Sequence, residues 1–208
     1  MKIVGILGSP REGGNTEIFL DVALEEAQKN GVIIDKISLR DKSIAPCDGC
    51  LGCTQTGKCV IEDDGQEVYN KMLEAEGIIW ATPVYFWSMT SHTKTLMDRT
   101  YALGFPKLRL ANKVGGLITV AGGRGCTSTA NIFNMYFNFN HMFFAEFAYG
   151  YAYEKGAVKK NTFAKNMAKE MIHQMISLIN ANLKYPDEPD VPLHRFVRKK
   201  ISLQKGRS

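Results

Sequence analysis

The chain opens Lys2-Ile3-Val4-Gly5-Ile6-Leu7 and runs directly into Gly8-Ser9-Pro10-Arg11-Glu12-Gly13-Gly14-Asn15-Thr16-Glu17. A short apolar run with β-branched residues reads as a strand buried on both faces, and it breaks off in a loop of Gly, Ser, Pro and Asn. A helix is expected behind the loop, with Asn15 or Thr16 as its N-cap. Ile18, Phe19, Val22, Ala23 and Ala27 lie at helical spacing, and Gly31 acts as the stop. Strand, glycine-rich loop and helix together aim unpaired backbone N–H groups and the positive end of a helix dipole at one place beyond the sheet. Ser9, Asn15 and Thr16 add short donors, and Arg11 adds a fork suited to phosphate. The loop matches neither G-x-x-x-x-G-K-[ST] nor G-x-G-x-x-G. A capped helix without a ligand is the competing reading.

At 208 residues with 45% hydrophobic content, the chain can bury one substantial core. One domain over residues 1–183 is expected, followed by a tail over 184–208. No run of eighteen apolar residues and no signal-type start is present, which predicts a cytoplasmic protein. The net charge of +5 is concentrated in Arg195, Arg198, Lys199, Lys200, Lys205 and Arg207, so the body is near neutral. That distribution argues against nucleic acid and membrane surfaces as partners.

Further along, Val32–Leu39, Ile78–Ala81, Lys113–Val120 and Phe144–Tyr151 read as strands. Asp64–Glu76, Ser91–Tyr101, Thr127–Met142 and Asn161–Leu183 read as helices. The last carries an expected buried stripe of Phe163, Met167, Met171, Ile172, Met175, Ile179 and Leu183. Five strands alternating with helices predict an α/β fold: a doubly wound, flavodoxin-like five-stranded parallel sheet of order 2-1-3-4-5 with helices on both faces. Its ligand crevice lies at the carboxyl ends of the strands, where Gly8–Thr16, Thr82–Thr90 and Ala121–Gly125 converge. A phosphate on the first loop and a flat apolar body against the other two fit flavin mononucleotide (FMN). Pro83, Val84, Tyr85, Phe86, Trp87 and Ser88 can flank its ring, Gly122 and Gly123 allow close approach, and Arg124 supplies positive charge. For Tyr85–Trp87 a subunit interface is an equally open reading.

The G-S-P-R-x-x-G-N-T loop, the T-P-V-Y-F-W-S segment with its following T-K-x-x-x-D-R helix, and the A-G-G-R-G turn resemble the NADPH-dependent FMN reductase family over about residues 1 to 180. The resemblance implies non-covalent FMN held by Ser9, Arg11, Asn15, Thr16, Pro83 to Ser88 and Gly122 to Arg124. It also implies a homodimer or homotetramer with the flavin near a subunit interface.

Cys47, Cys50, Cys53 and Cys59 form a C-x2-C-x2-C-x5-C array after the second strand. Such clustering points to metal rather than disulfides, with a [4Fe-4S] cluster, structural zinc and free thiols as the alternatives. Within the family the array resembles the iron-sulfur flavoproteins, which implies a [4Fe-4S] cluster that exchanges electrons with FMN. Cys126 reads as a small buried thiol, and Asp63-Asp64 as helix-capping charges. The four histidines have no ligand spacing. The leading expectation is a redox flavoprotein taking electrons from NAD(P)H or a ferredoxin-type donor, with no catalytic side chain of its own. An FMN-only NAD(P)H-dependent flavin or quinone reductase is the alternative. A receiver-like binding module would place acidic residues where Leu7, Gly8 and Ser9 stand.

Overall fold

The computed structural model describes residues 1–105 and 107–186. Five parallel strands, β1 (Lys2–Leu7), β2 (Ile33–Ser38), β3 (Gly77–Pro83), β4 (Val114–Ala121) and β5 (Phe143–Tyr151), form one sheet in the order β2-β1-β3-β4-β5. The expected topology is therefore present. Between the strands run α1 (Asn15–Lys29), a one-turn α2 (Cys53–Thr56), α3 (Gly65–Glu74), α4 (Ser91–Arg99) and α5 (Cys126–Phe139), and α6 (Thr162–Ala181) follows β5.

Both faces of the sheet are covered, which is why β3 and β4 are apolar along almost their whole length. On one face α1 and α6 bury Phe19, Leu20, Ala23, Met171, Ile172 and Met175. On the other, α3, α4 and α5 bury Val68, Met72, Leu96, Phe133 and Phe137 around Trp80. Gly115 and Gly116 in β4 are thin points for the two layers. A Cβ on Gly115 would meet the Phe137 ring at 2.4 Å, and one on Gly116 would meet the Met175 sulfur at 2.8 Å.

Two local expectations change. Helix α1 is capped by the backbone of Gly14 rather than by Asn15 or Thr16, because both lie inside the first turn. Of the stripe expected on α6, Phe163 in the first turn is exposed, and Leu183 is exposed two residues beyond the end of the helix at Ala181. Beyond the helix, Tyr185 stacks on His141 at 4.7 Å, and its N–H donates to Asn112 Oδ1 at 2.7 Å. The basic residues from Arg195 to Arg207 lie outside the described residues.

Candidate functional site

The carboxyl ends of β1, β3, β4 and β5 enclose a cleft of about 310 Å³. Ser9, Arg11, Gly14, Asn15 and Thr16 form one wall, and Pro83, Val84 and Tyr85 a second. Val120, Ala121 and Gly122 form the floor, with Ala152 and Tyr153 opposite. The first loop is shaped by its own side chains. Ser9 Oγ accepts the Arg11 N–H at 3.2 Å, and Glu17 reaches back to accept the Gly13 N–H at 2.8 Å. The N–H groups of Asn15, Thr16 and Glu17, in the first turn of α1, find no acceptor among the described residues. Unpaired N–H groups at the positive end of a helix dipole are an arrangement suited to an anion. Burial pushes the Glu17 carboxyl up, but hydrogen bonds from Lys36 Nζ and the Gly13 N–H outweigh it and hold the group below the usual carboxylate range. Arg11 is exposed at the rim, and the Lys155 side chain lies over Gly13, so two cations flank the loop.

Asn15 differs from its expected role. Its amide donates to Ala152 O at 3.3 Å and to Glu154 O at 2.7 Å, while its Oδ1 accepts the Val158 N–H at 3.3 Å. Its side chain therefore fastens the first loop to the stretch after β5, and its backbone N–H is what remains for a ligand. Ala152 and Tyr153 were not legible as site residues. They carry no motif and join the cleft only through pairing of β4 with β5 and this long-range clamp.

A buried threonine network supports the loop from below. Thr90 Oγ1 donates to Gly8 O at 2.6 Å and lies 2.9 Å from Thr93 Oγ1, which donates to Thr82 Oγ1 at 3.1 Å. The ends of β1 and β3 and the start of α4 are thereby held together.

Phe86, Trp87, Ser88, Gly123 and Arg124 do not line the cleft. Tyr85 and Ser88 exchange two backbone hydrogen bonds at 2.8 and 3.0 Å, and Phe86 and Trp87 between them have φ of 45° and 65°. This is a two-residue turn with both central residues in the left-handed region, a conformation glycine and asparagine favour. It turns both rings outward: Phe86 is fully exposed and Trp87 58% exposed. Gly125, at φ 95°, permits the turn to sit close, since a Cβ there would meet Val84 Cγ1 at 2.7 Å. Ser128 Oγ donates to Trp87 O at 2.6 Å and fixes the turn.

The four clustered cysteines line a second cavity, of about 100 Å³, together with Arg99 and Tyr101. Burial pushes the Cys53 thiol up, and the neighbouring Cys59, Cys47 and Cys50 push it further, so four thiolates here would repel one another. In this arrangement the sulfurs are not drawn together as the ligands of a single metal ion. The donor set, four sulfurs around one small space on a loop rich in glycine with Cys47 and Cys50 exposed at its rim, is of the kind that holds an iron-sulfur cluster. Asp63 does more than cap a helix. It makes a two-point ion pair with the buried Arg99, at 2.8 and 3.0 Å, and accepts N–H bonds from Ala45 at 2.9 Å and Gly65 at 2.9 Å. Burial raises the Asp63 carboxyl, yet these bonds, led by that from Arg99, hold it below its ordinary range. Cys126 is buried, and burial pushes its thiol up. No helix among the described residues is long and apolar enough to cross a membrane.

Sheet order, phosphate-type loop and cleft position define a flavodoxin-like α/β protein. The family model for NADPH-dependent FMN reductases matches residues 1–152, and the chain belongs to that family of flavin oxidoreductases. It is 46% identical over 126 residues to an iron-sulfur flavoprotein of Methanocaldococcus jannaschii, an alignment covering 60% of this chain and 64% of that protein. It is 43% identical over 124 residues to an iron-sulfur flavoprotein of Methanosarcina thermophila, covering 60% and 65%. The chain thus matches less than two thirds of the length of these relatives. Among solved structures, RosB with bound 8-demethyl-8-formylriboflavin-5'-phosphate superposes with a TM-score of 0.76 at 16% identity, covering 100% of this chain and 88% of that one. A flavodoxin from the domain Archaea superposes at 0.56 with 14% identity, covering 86% and 99%. These likenesses concern the fold.

Proposed function

We propose that this chain is an electron-transferring flavoprotein. It would hold FMN in the cleft at the carboxyl end of the sheet and a [4Fe-4S] cluster at Cys47, Cys50, Cys53 and Cys59. The observation that carries the reading is that, in a chain of the FMN reductase family, all four clustered thiols line a single cavity. The names of the relatives from M. jannaschii and M. thermophila point the same way.

Bound flavin supplies hydride and single-electron chemistry, and the protein's part is to hold and tune it. The first-turn N–H groups of α1, with Arg11 and Thr16, take the phosphate. Pro83 to Tyr85 and Gly122 bound the space left for the ring, and Tyr153 covers it from the far side. No side chain is assigned as acid or base. NAD(P)H or a reduced ferredoxin-type protein is the donor class. The outward Phe86 and Trp87 support a homodimer or homotetramer assembled through this turn.

The one second reading is an FMN-only NAD(P)H-dependent flavin or quinone reductase, in which the four thiols stay free as they are in this structure. Anaerobic purification decides between them. The cluster reading expects about four irons and four sulfides per chain and absorbance near 400 nm beyond that of the flavin. Flavin alone, even after reconstitution with iron and sulfide, leaves the FMN-only reductase. A preparation that takes up no FMN removes both.

A further inference from the structure

The cysteine loop is held from behind by two arginines that no local motif connects to it. Arg99, at the end of α4 and 1% exposed, donates from Nη1 to Ala45 O at 2.7 Å and from Nη2 to Ile61 O at 3.1 Å. These carbonyls flank the array on its two sides, so one guanidinium joins the stretch entering Cys47 to the stretch leaving Cys59. The same group is fixed by Asp63. Arg109 donates from Nη2 to Gly57 O, between Cys53 and Cys59, and to Ala102 O at 3.1 Å. In both residues the Nε–H is buried without a hydrogen-bond partner among the described residues. Arg99 also forms part of the wall of the sulfur-lined cavity. A buried N–H donor left over there is unusual, because burial without a partner costs about 1–3 kcal/mol.

We propose that Arg99 and Arg109 are the positioning residues of the cysteine site: they clamp its loop closed through backbone carbonyls and place positive charge behind the thiolates. The Arg99 Nε–H stays buried without a partner among the described residues, so the guanidinium reaches the loop through its two Nη groups. Four cysteine thiolates on an iron-sulfur core carry net negative charge in both oxidation states, and more of it when reduced. Nearby positive charge therefore favours the reduced form and raises the reduction potential. A planar guanidinium suits the task because it spans several acceptors at once without losing its charge on burial. The inference rests on the cluster reading for its electrostatic half and on the loop contacts alone for its clamping half.

The test uses the full chain purified without oxygen, as wild type, Arg99→Gln, Arg99→Lys and the double variant Asp63→Asn with Arg99→Gln. The double variant leaves no stranded carboxylate, so it stands in where Arg99→Gln fails to fold. Amide hydrogen exchange over residues 45–61 in protein stripped of iron reads the clamp. A titration followed by electron paramagnetic resonance reads the potential after reconstitution, and FMN content serves as the fold control. The clamp expects exchange over residues 45–61 at least tenfold faster in all three variants, with FMN retained. The charge expects the reduced cluster to be disfavoured about tenfold in Arg99→Gln, equivalent to about 59 mV for a one-electron couple. Arg99→Lys should recover most of that shift without recovering the slow exchange. Unchanged exchange in the double variant overturns the clamp, and an unchanged potential in Arg99→Gln overturns the charge. If wild type takes up no iron and sulfide, the cluster reading and the electrostatic half fall together, and the exchange data decide the clamp.

Discussion

A Cβ placed on Gly8 would lie 1.8 Å from Thr93 Oγ1, so these two residues share a space that only one side chain can occupy. The hydroxyl in that space belongs to the network that fixes the end of β1 to β3 and α4. Gly8→Ala is expected to destabilise the protein by about 1–3 kcal/mol, the usual cost of overpacking. Adding Thr93→Ala, which removes the obstructing atom, should recover part of that loss. Urea denaturation of the two variants checks it, and equal stability of Gly8→Ala and wild type contradicts it.

Arg11 stands at the rim of the cleft, exposed and without a side-chain partner among the described residues, so its removal should leave the fold intact. Arg11→Ala is expected to weaken FMN binding by about 10- to 100-fold, the worth of one charge-assisted hydrogen bond of about 1.5–3 kcal/mol. Riboflavin, which lacks the phosphate, should bind wild type and variant alike. Fluorescence titration with both flavins separates a phosphate role from a ring role.

The turn at Phe86 and Trp87 places two bulky residues where the backbone favours Asn and Gly, at a cost of about 1–2 kcal/mol each. Phe86→Asn combined with Trp87→Gly should therefore raise the melting temperature, by about 2–4 °C for each kcal/mol of strain relieved. If these rings serve self-association, the same variant sediments as a smaller species. A lower melting temperature would show that the outward rings hold the fold together.

Acid should open the cysteine loop before it unfolds the sheet. Asp63 has its carboxyl pKa depressed in the folded protein, so the stability it contributes is present above its unfolded pKa, near 4, and is lost as pH falls through the folded value. Amide protection at Ala45 and Gly65, whose N–H groups Asp63 accepts, is expected to fall below about pH 4. Asp63→Asn should remove that pH dependence and show the weaker protection at neutral pH.

The sheet could be read from the sequence because its inner strands β1, β3 and β4 are short, buried apolar runs separated by helical segments. The anion loop and the cysteine array were legible for a similar reason, since their residues are neighbours in the chain. What escaped was carried by distant partners. Nothing near Asn15 announces that its amide is committed to Ala152, Glu154 and Val158. Nothing near Cys47 announces Arg99 or Arg109. The aromatic segment was read by composition as a ring platform. A two-residue turn reverses the chain there, and only Tyr85 of the three rings remains on the cleft.

The fastening of Asn15 to residues 152–158 has a consequence for the order in which the molecule is made. The phosphate loop is synthesised first, yet the stretch that braces it and forms the opposing wall emerges from the ribosome more than a hundred residues later. A nascent chain therefore has an anion loop but no closed receptacle, and flavin capture becomes a late event that reports on a nearly completed sheet. Truncation before Val158 should yield a colourless product, however well its first strands have folded.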